Sequence, residues 1–406
     1  MSVGLDYPQK PVKISGIRLS AGSAEIYNKK RNDIALIEID AGSITSAAFT
    51  KNHFCAAPVQ ISKYNLKKSK PRYCLINAGN ANAGTGQSGI NNSKATCETL
   101  AKITNCDETE ILPFSTGVIG EDLPINKINK ILPSLVKNLS EDCWLDVAKS
   151  IMTTDTIPKA TSKQVKILDT TVSITGITKG SGMIKPDMGT MLSFIATDVN
   201  ITEDCLDKIK DNVLKRSFNR IIVDGDTSTN DSFLLISTCK TESLEIKEQN
   251  SKEFEILEDE ITKVCSQLAQ AIVRDGEGAK KFITIKVLEG KDTPECLSVA
   301  YKVAESPLVK TAFTASDPNW GRIIAAIGNS KIGNLDISKV NVYIDDVCLV
   351  ENGERSKSYT EEKGKKVMEQ DEIILRIDLK RGFCSEEIWT TDLSYEYIKI
   401  NAEYRS

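Results

Sequence analysis

The stretch Lys179–Asp198, KGSGMIKPDMGTMLSFIATD, leaves this chain few ways to fold. Gly180, Ser181 and Gly182 make a Gly-rich turn, and Pro186 and Gly189 interrupt the backbone again. An apolar run then follows through Met191, Leu192, Phe194, Ile195 and Ala196. A run of that length bounded by turn residues predicts a buried strand. Thr190 therefore stands where a tight loop enters a core strand, preceded by a residue with no Cβ. That is a good place for a nucleophilic hydroxyl on a rigid element, and it is also an ordinary way to begin a strand.

Composition narrows the chemistry. A chain of 406 residues, 40% hydrophobic and 27% charged, has room for two or three domains or one large α/β body with a satellite. Its formal net charge of −4, with acids and bases interspersed, gives no basic stripe for nucleic acid. No apolar run approaches a membrane span, and the first residues, MSVGLDYPQKPVK, carry neither an apolar signal core nor an Arg-rich amphipathic segment. A cytoplasmic location is expected. Eleven cysteines without a CxxC pair fit a reducing compartment, with most of them serving as small core residues. No metal site is expected. His53 is the only histidine, so a Ser-His-Asp or Cys-His triad rests on it alone, and its setting in TKNHFCAAP predicts a packed or hydrogen-bonded structural residue. For acyl chemistry the base must then be a lysine, a carboxylate or a free α-amine. Only the last has an unperturbed pKa near ~8, close to working pH.

Along the chain, short alternating runs at 12–18, 33–40 and 44–49 predict sheet hairpins, and 73–76 predicts a strand opening into the loop NAGNANAGTG at 77–86. A strand at 110–114 ends on Ser115-Thr116-Gly117, where a hydroxyl and a Gly N–H can form an oxyanion hole or simply a turn. Helical spacing marks 93–103, 125–139, 141–152, 202–218, 254–274 and 298–313, the last broken by Pro307. Strands are expected at 165–168, 171–177, 221–223, 282–287, 340–350, 372–379 and 395–401. The acidic loop DGDTSTNDS at 224–232 lacks the Glu that a Ca²⁺-binding EF-hand loop requires, so no Ca²⁺ is assigned to it. Strand runs flanking helix pairs give sheet layers covered by helices, an α/β or α+β fold.

KGSGMI followed by the Pro186–Leu192 segment resembles the signature of the ornithine acetyltransferase (glutamate N-acetyltransferase) family. NHFCAAPVQ (52–60), NAGNANAGTG (77–86), STGVIG (115–120), MTTDT (152–156), FNRIIVDGDTSTNDS (218–232), VRDGEGAKK (273–281), DPNWGRI (317–323) and DLSYEYIKINAEYR (392–405) are similar to family segments in family order. The resemblance implies a layered αββα sandwich like that of N-terminal-nucleophile hydrolases, with smaller α+β domains in the second half. It also implies self-cleavage between Gly189 and Thr190. That gives an α chain of 1–189 and a β chain whose residues 190–280 complete the sandwich. A smaller domain at 281–406 follows the Gly278 turn, and its final strand is expected to return to the main body. Cleavage frees the Thr190 α-amine, which supplies the missing base on the nucleophile itself.

The implied reaction carries acetyl from N²-acetylornithine through an acetyl-threonine on Thr190 to glutamate, within arginine biosynthesis. Thr116 and Gly117 are implied as the oxyanion hole. Thr153, Lys179, Thr190, Glu277, Asn401 and the C-terminal Ser406 are implied as substrate-binding positions. The implied assembly is a heterotetramer of two α and two β chains with no cofactor. Acetyl-CoA stays open as an additional co-substrate, since no nucleotide-binding motif decides it. Three departures stand out: Gly189 where Ala is usual, Ser406 where Thr is usual, and Lys185 and Asp187 around Pro186. Two other readings remain: an amidase or aminopeptidase that uses Thr190 but releases acyl groups to water, and an uncleaved binding protein.

Overall fold

Among residues 2–27, 31–185 and 191–404, which the computed structural model describes, the chain folds into two sheets pressed face to face, with helices outside each, and a third sheet alongside. The first sheet orders the strands Ile17–Gly22, Ile34–Ile39, Tyr73–Asn80 and Ile111–Val118. The second orders Ile44–Phe49, Ser232–Ser237, Leu192–Thr197, Thr170–Lys179 and Lys159–Ile167. The predicted strand after Thr190 is therefore central in its sheet, pairing antiparallel with Thr170–Lys179 and parallel with Ser232–Ser237.

Side-chain alternation explains the layering. Leu192, Phe194 and Ala196 point between the sheets, where they meet Ile37, Ile76 and Phe114 in one buried cluster. The rings of Phe114 and Phe194, one from each sheet, lie 5.2 Å apart edge to face. Ile195, with the opposite parity, joins the cluster under the helices Glu203–Arg216 and Lys252–Arg274. The longer helix starts where Ser251 Oγ accepts the Phe254 N–H at 3.2 Å. It buries Phe254, Leu257, Ile261, Val264, Leu268 and Ile272 at helical spacing. Helices Gly86–Thr104 and Ile125–Lys137 cover the far face of the first sheet through Leu100, Leu132 and Leu135. The αββα expectation is met.

The third sheet has seven strands and a separate core with the helices Thr293–Ala304, Pro307–Thr314 and Trp320–Gly328. Its edge strand Ile221–Ile222 comes from the loop leading to Ser232, and it pairs with Cys384–Thr391. No described helix is long and apolar enough to cross a membrane.

Several expectations are corrected. Residues 34–39 and 44–49 do not form a hairpin, because the chain crosses from one sheet to the other between them. Asn77–Asn80 continue the strand rather than opening a loop, held by pairing with Ser115–Val118 and a register shift at Gly79. Tyr395–Ala402 is a helix, not a strand. Its alternating Tyr and Ile suggest a strand, but no sheet edge receives it. Contacts four residues apart, from Tyr397 and Asn401, fix it against the main body. His53 is exposed rather than packed. All eleven cysteines are free, and five of them are buried.

Candidate active site

One end of the two-sheet sandwich opens into a cavity of about 260 Å³. Thr116 and Gly117 enter it from the last turn of the first sheet's edge strand. Lys179 enters from the end of its strand, opposite Leu192 in the register. Thr153 and Thr154 come from the loop after the helix Trp144–Ser150, and Glu277 comes from the turn after the longest helix. Asn401 and Tyr404 close it from the C-terminal helix and the residues after it. Thr116, Gly117, Thr153, Lys179, Glu277 and Asn401, spread over 286 positions from 116 to 401 counted inclusively, thus line one cavity. Gly189, Thr190 and Ser406 lie outside the described residues.

The backbone at 117 requires glycine. Its φ is +133°, and a Cβ there would lie 2.3 Å from the Gly79 carbonyl carbon of the neighbouring strand. The Lys179 ammonium donates to Thr116 Oγ1 at 3.1 Å. A hydroxyl oxygen that accepts this bond still has its own hydrogen to donate. Burial pushes the Lys179 ammonium below its ordinary value, and Asp155 opposes that push.

Glu277 is 7% exposed, and its carboxylate accepts from Asn401 Nδ2 at 2.8 Å. It lies directly over Gly182, where a Cβ would come 2.3 Å from the carboxyl carbon. Its backbone N–H donates to the Ser181 carbonyl at 2.8 Å, which ties the Gly-rich turn to the helix end. The turn is held on its other side by Asp224, which accepts from the backbone N–H groups of Met183 at 2.6 Å and Ile184 at 2.9 Å.

The sequence did not point to three groups around the cavity. Asn230 donates to the carbonyls of Ala81 at 2.6 Å and Ser115 at 2.9 Å, clamping the acidic loop onto the first sheet. Asp231 is buried beneath that loop. Desolvation drives its carboxyl well above the usual carboxylate range, against the pull of Lys179. Asp155, Lys159 and Asp275 form a buried ion cluster below the cavity floor, with Lys159 Nζ at 2.6 Å from Asp155 and 2.7 Å from Asp275. MTTDT and VRDGEG hold the two acids, but only the fold brings them to one lysine.

The arrangement offers a cation and an anion to an amino acid, and a hydroxyl and a Gly N–H to a developing oxyanion. The sequence profile of the ArgJ family matches residues 18–406. The chain is 48% identical, over the full length of both, to the arginine biosynthesis bifunctional protein ArgJ of Pseudomonas fluorescens. It is 49% identical, again over the full length of both, to the protein of the same name from Psychrobacter arcticus. Among solved structures, the arginine biosynthesis bifunctional protein argJ from Bacillus halodurans aligns at 33% identity with a TM-score of 0.49. That alignment covers 51% of this chain and 96% of the solved one.

Proposed function

This chain belongs to the ArgJ family, and we propose that it cleaves itself before Thr190 and then moves acetyl from N²-acetyl-L-ornithine to L-glutamate. The observation that carries this reading is the single cavity in which Thr116, Gly117, Thr153, Lys179, Glu277 and Asn401 converge. Cleavage begins when Thr190 Oγ attacks the Gly189 carbonyl. The peptide C–N bond breaks, and water hydrolyses the resulting ester to leave a free α-amine on Thr190.

In the transfer, that amine takes the Oγ proton as Oγ bonds to the acetyl carbon. The oxyanion accepts from the Thr116 hydroxyl and the Gly117 N–H. The acetyl C–N bond then breaks, the proton passes to the departing ornithine nitrogen, and acetyl-threonine remains. Glutamate's neutral amine attacks this ester, its proton returns to Thr190 Oγ, and N-acetylglutamate leaves. Lys179 binds the substrate carboxylate and Glu277 the ornithine ammonium, with Thr153, Asn401 and Ser406 completing the contacts.

The word bifunctional in the relatives' names supports acetyl-CoA as a second donor. No cofactor is required by these steps. The working unit is proposed as two α chains of 1–189 and two β chains of 190–406 in the cytoplasm. Residues 190–280 complete the sandwich, and 281–406 form the smaller domain.

Initial rates with both substrates varied test the transfer. Parallel double-reciprocal lines are expected. Acetate release without an acceptor would favour the amidase reading instead. Glu277→Gln removes the charge but keeps the shape, and lowers kcat/KM for N²-acetylornithine by about 10- to 100-fold, the loss of one charged hydrogen bond. Gly182→Ala reaches the same end by pushing the Glu277 carboxylate aside. Because that carboxylate is the free end of a side chain, the fold changes little, by under about 1 kcal/mol in a urea melt. Full activity in either variant would remove Glu277 from the binding role.

A further inference from the structure

The cavity rests on a buried ion cluster that the transfer steps above do not use. Asp155 Oδ1 accepts the Gly180 N–H at 2.8 Å and the Lys159 ammonium at 2.6 Å. Its Oδ2 accepts the Thr153 N–H at 3.0 Å. Asp275 Oδ2 accepts the same lysine at 2.7 Å and the Thr156 N–H at 2.9 Å, and the Thr156 hydroxyl donates to Asp275 Oδ1. The side chains of Asp155, Lys159 and Asp275 are at most 1% exposed.

Two consequences follow. First, Thr153 and Gly180, the latter adjoining Lys179, hang from the two oxygens of one carboxylate. Glu277 lies two residues beyond the other carboxylate. Three walls of the cavity are therefore referenced to a single cluster. Second, the charges do not balance within it. Two carboxylates and one ammonium leave a net charge of −1, and the cation in the cavity wall that this charge acts on is the part-buried Lys179. The hydrogen bond Lys179 makes to Thr116 involves a neutral hydroxyl. The charged groups that act on Lys179 are Asp155, Lys159, Asp231 and Glu277. Burial raises the Asp231 carboxyl well above its ordinary range, and Glu277 accepts from the neutral amide of Asn401. Of the three carboxylates, Asp155 favours the Lys179 ammonium most.

We infer that Asp155 is a positioning residue for the transfer: it supplies the counter-charge of Lys179 and fixes Thr153 and Gly180 at the amino-acid end of the cavity. This rests on the proposed reading of that cavity as an amino-acid site. It gives the buried acid of MTTDT a task distinct from packing. An isolated buried ammonium is disfavoured, and a fixed anion nearby favours it. Without Asp155, Lys179 loses its proton at lower pH and binds a substrate carboxylate less well.

The test uses the acetylation half-reaction with N²-acetylornithine, followed by intact mass against pH. Asp155→Asn is expected to move the alkaline limb of kcat/KM to lower pH by about one unit or more, and to raise KM by about 10-fold, while acetylation at saturating donor falls less. A purely structural role lowers the reactive fraction and leaves the limb in place. The charge-compensated variant Lys159→Met/Asp275→Asn removes one charge of each sign and keeps Asp155. Its limb is expected to stay at the wild-type pH or move upward, and this comparison stands even if Asp155→Asn does not fold. An unmoved limb in Asp155→Asn, or a limb moved downward in the double variant, overturns the inference. Wild-type protein that takes up no acetyl overturns the functional reading beneath it instead.

Discussion

Thr190→Ala yields a single uncleaved chain of 406 residues, and acetyl transfer falls by about 10⁴-fold or more. The size of the effect follows from economy of parts. The chain has one histidine, and that residue is exposed and absent from the cavity, so it supplies no base. In this account Thr190 provides both the attacking oxygen and, once cleaved, the base. Removing the hydroxyl stops the cleavage that would have freed the base, so both are lost at once. Thr190→Ser keeps both and is expected to cleave and transfer at a reduced rate. A denaturing gel and a coupled assay read the two outcomes. A Thr190→Ala protein that still separates into two chains places the nucleophile elsewhere.

The second large effect is on stability. Lys159→Met leaves Asp155 and Asp275 facing each other without the ammonium between them. Breaking a buried ion group by removing one partner destabilises by about 3–5 kcal/mol, because the remaining charge has neither water nor a counter-ion. The urea midpoint falls accordingly. The pH dependence has a definite sign. Burial alone would raise the Asp155 carboxyl. Lys159 and Lys179 outweigh that and hold it below its ordinary value of 3.8. A carboxyl depressed on folding contributes stability that is full above the unfolded value and drains away as pH falls through the folded one. The gap between wild type and Lys159→Met is thus widest near neutrality and narrows as pH falls, first because the carboxylates left without the ammonium protonate in the variant and then, below about pH 4, because the wild-type contribution of Asp155 drains away. Equal midpoints at neutral pH, or a gap that widens in acid, would contradict the charge assignment.

What the sequence showed and what it hid divide along a physical line. The strand after Thr190, the helix ending at Arg274 and the break at Pro307 were legible because local pattern and turn chemistry fix them. The crossing between residues 39 and 44 was not. A strand's partner depends on faces buried far away in sequence, and two consecutive strands with a short connection look alike whether they pair or part. The C-terminal segment misled for a related reason. YEYIKINA has the composition of a strand, and it is helical because Ser394 Oγ bonds the Gly278 carbonyl at 2.6 Å and Asn401 reaches Glu277.

The site divides in the same way. Thr116, Gly117, Lys179 and Glu277 stood in recognisable segments, and the fold brings them into one cavity. Asp155 and Asp275 stood in such segments too. Their meeting across Lys159 joins positions 120 apart, since 275 minus 155 is 120, and no local pattern carries that.

Intact mass of the purified protein, before and after brief exposure to N²-acetylornithine, tests the central claim most directly. Two chains are expected, one ending at Gly189 and the other beginning at Thr190. The second gains a single acetyl group that glutamate then removes. One intact chain that never acquires acetyl would contradict it.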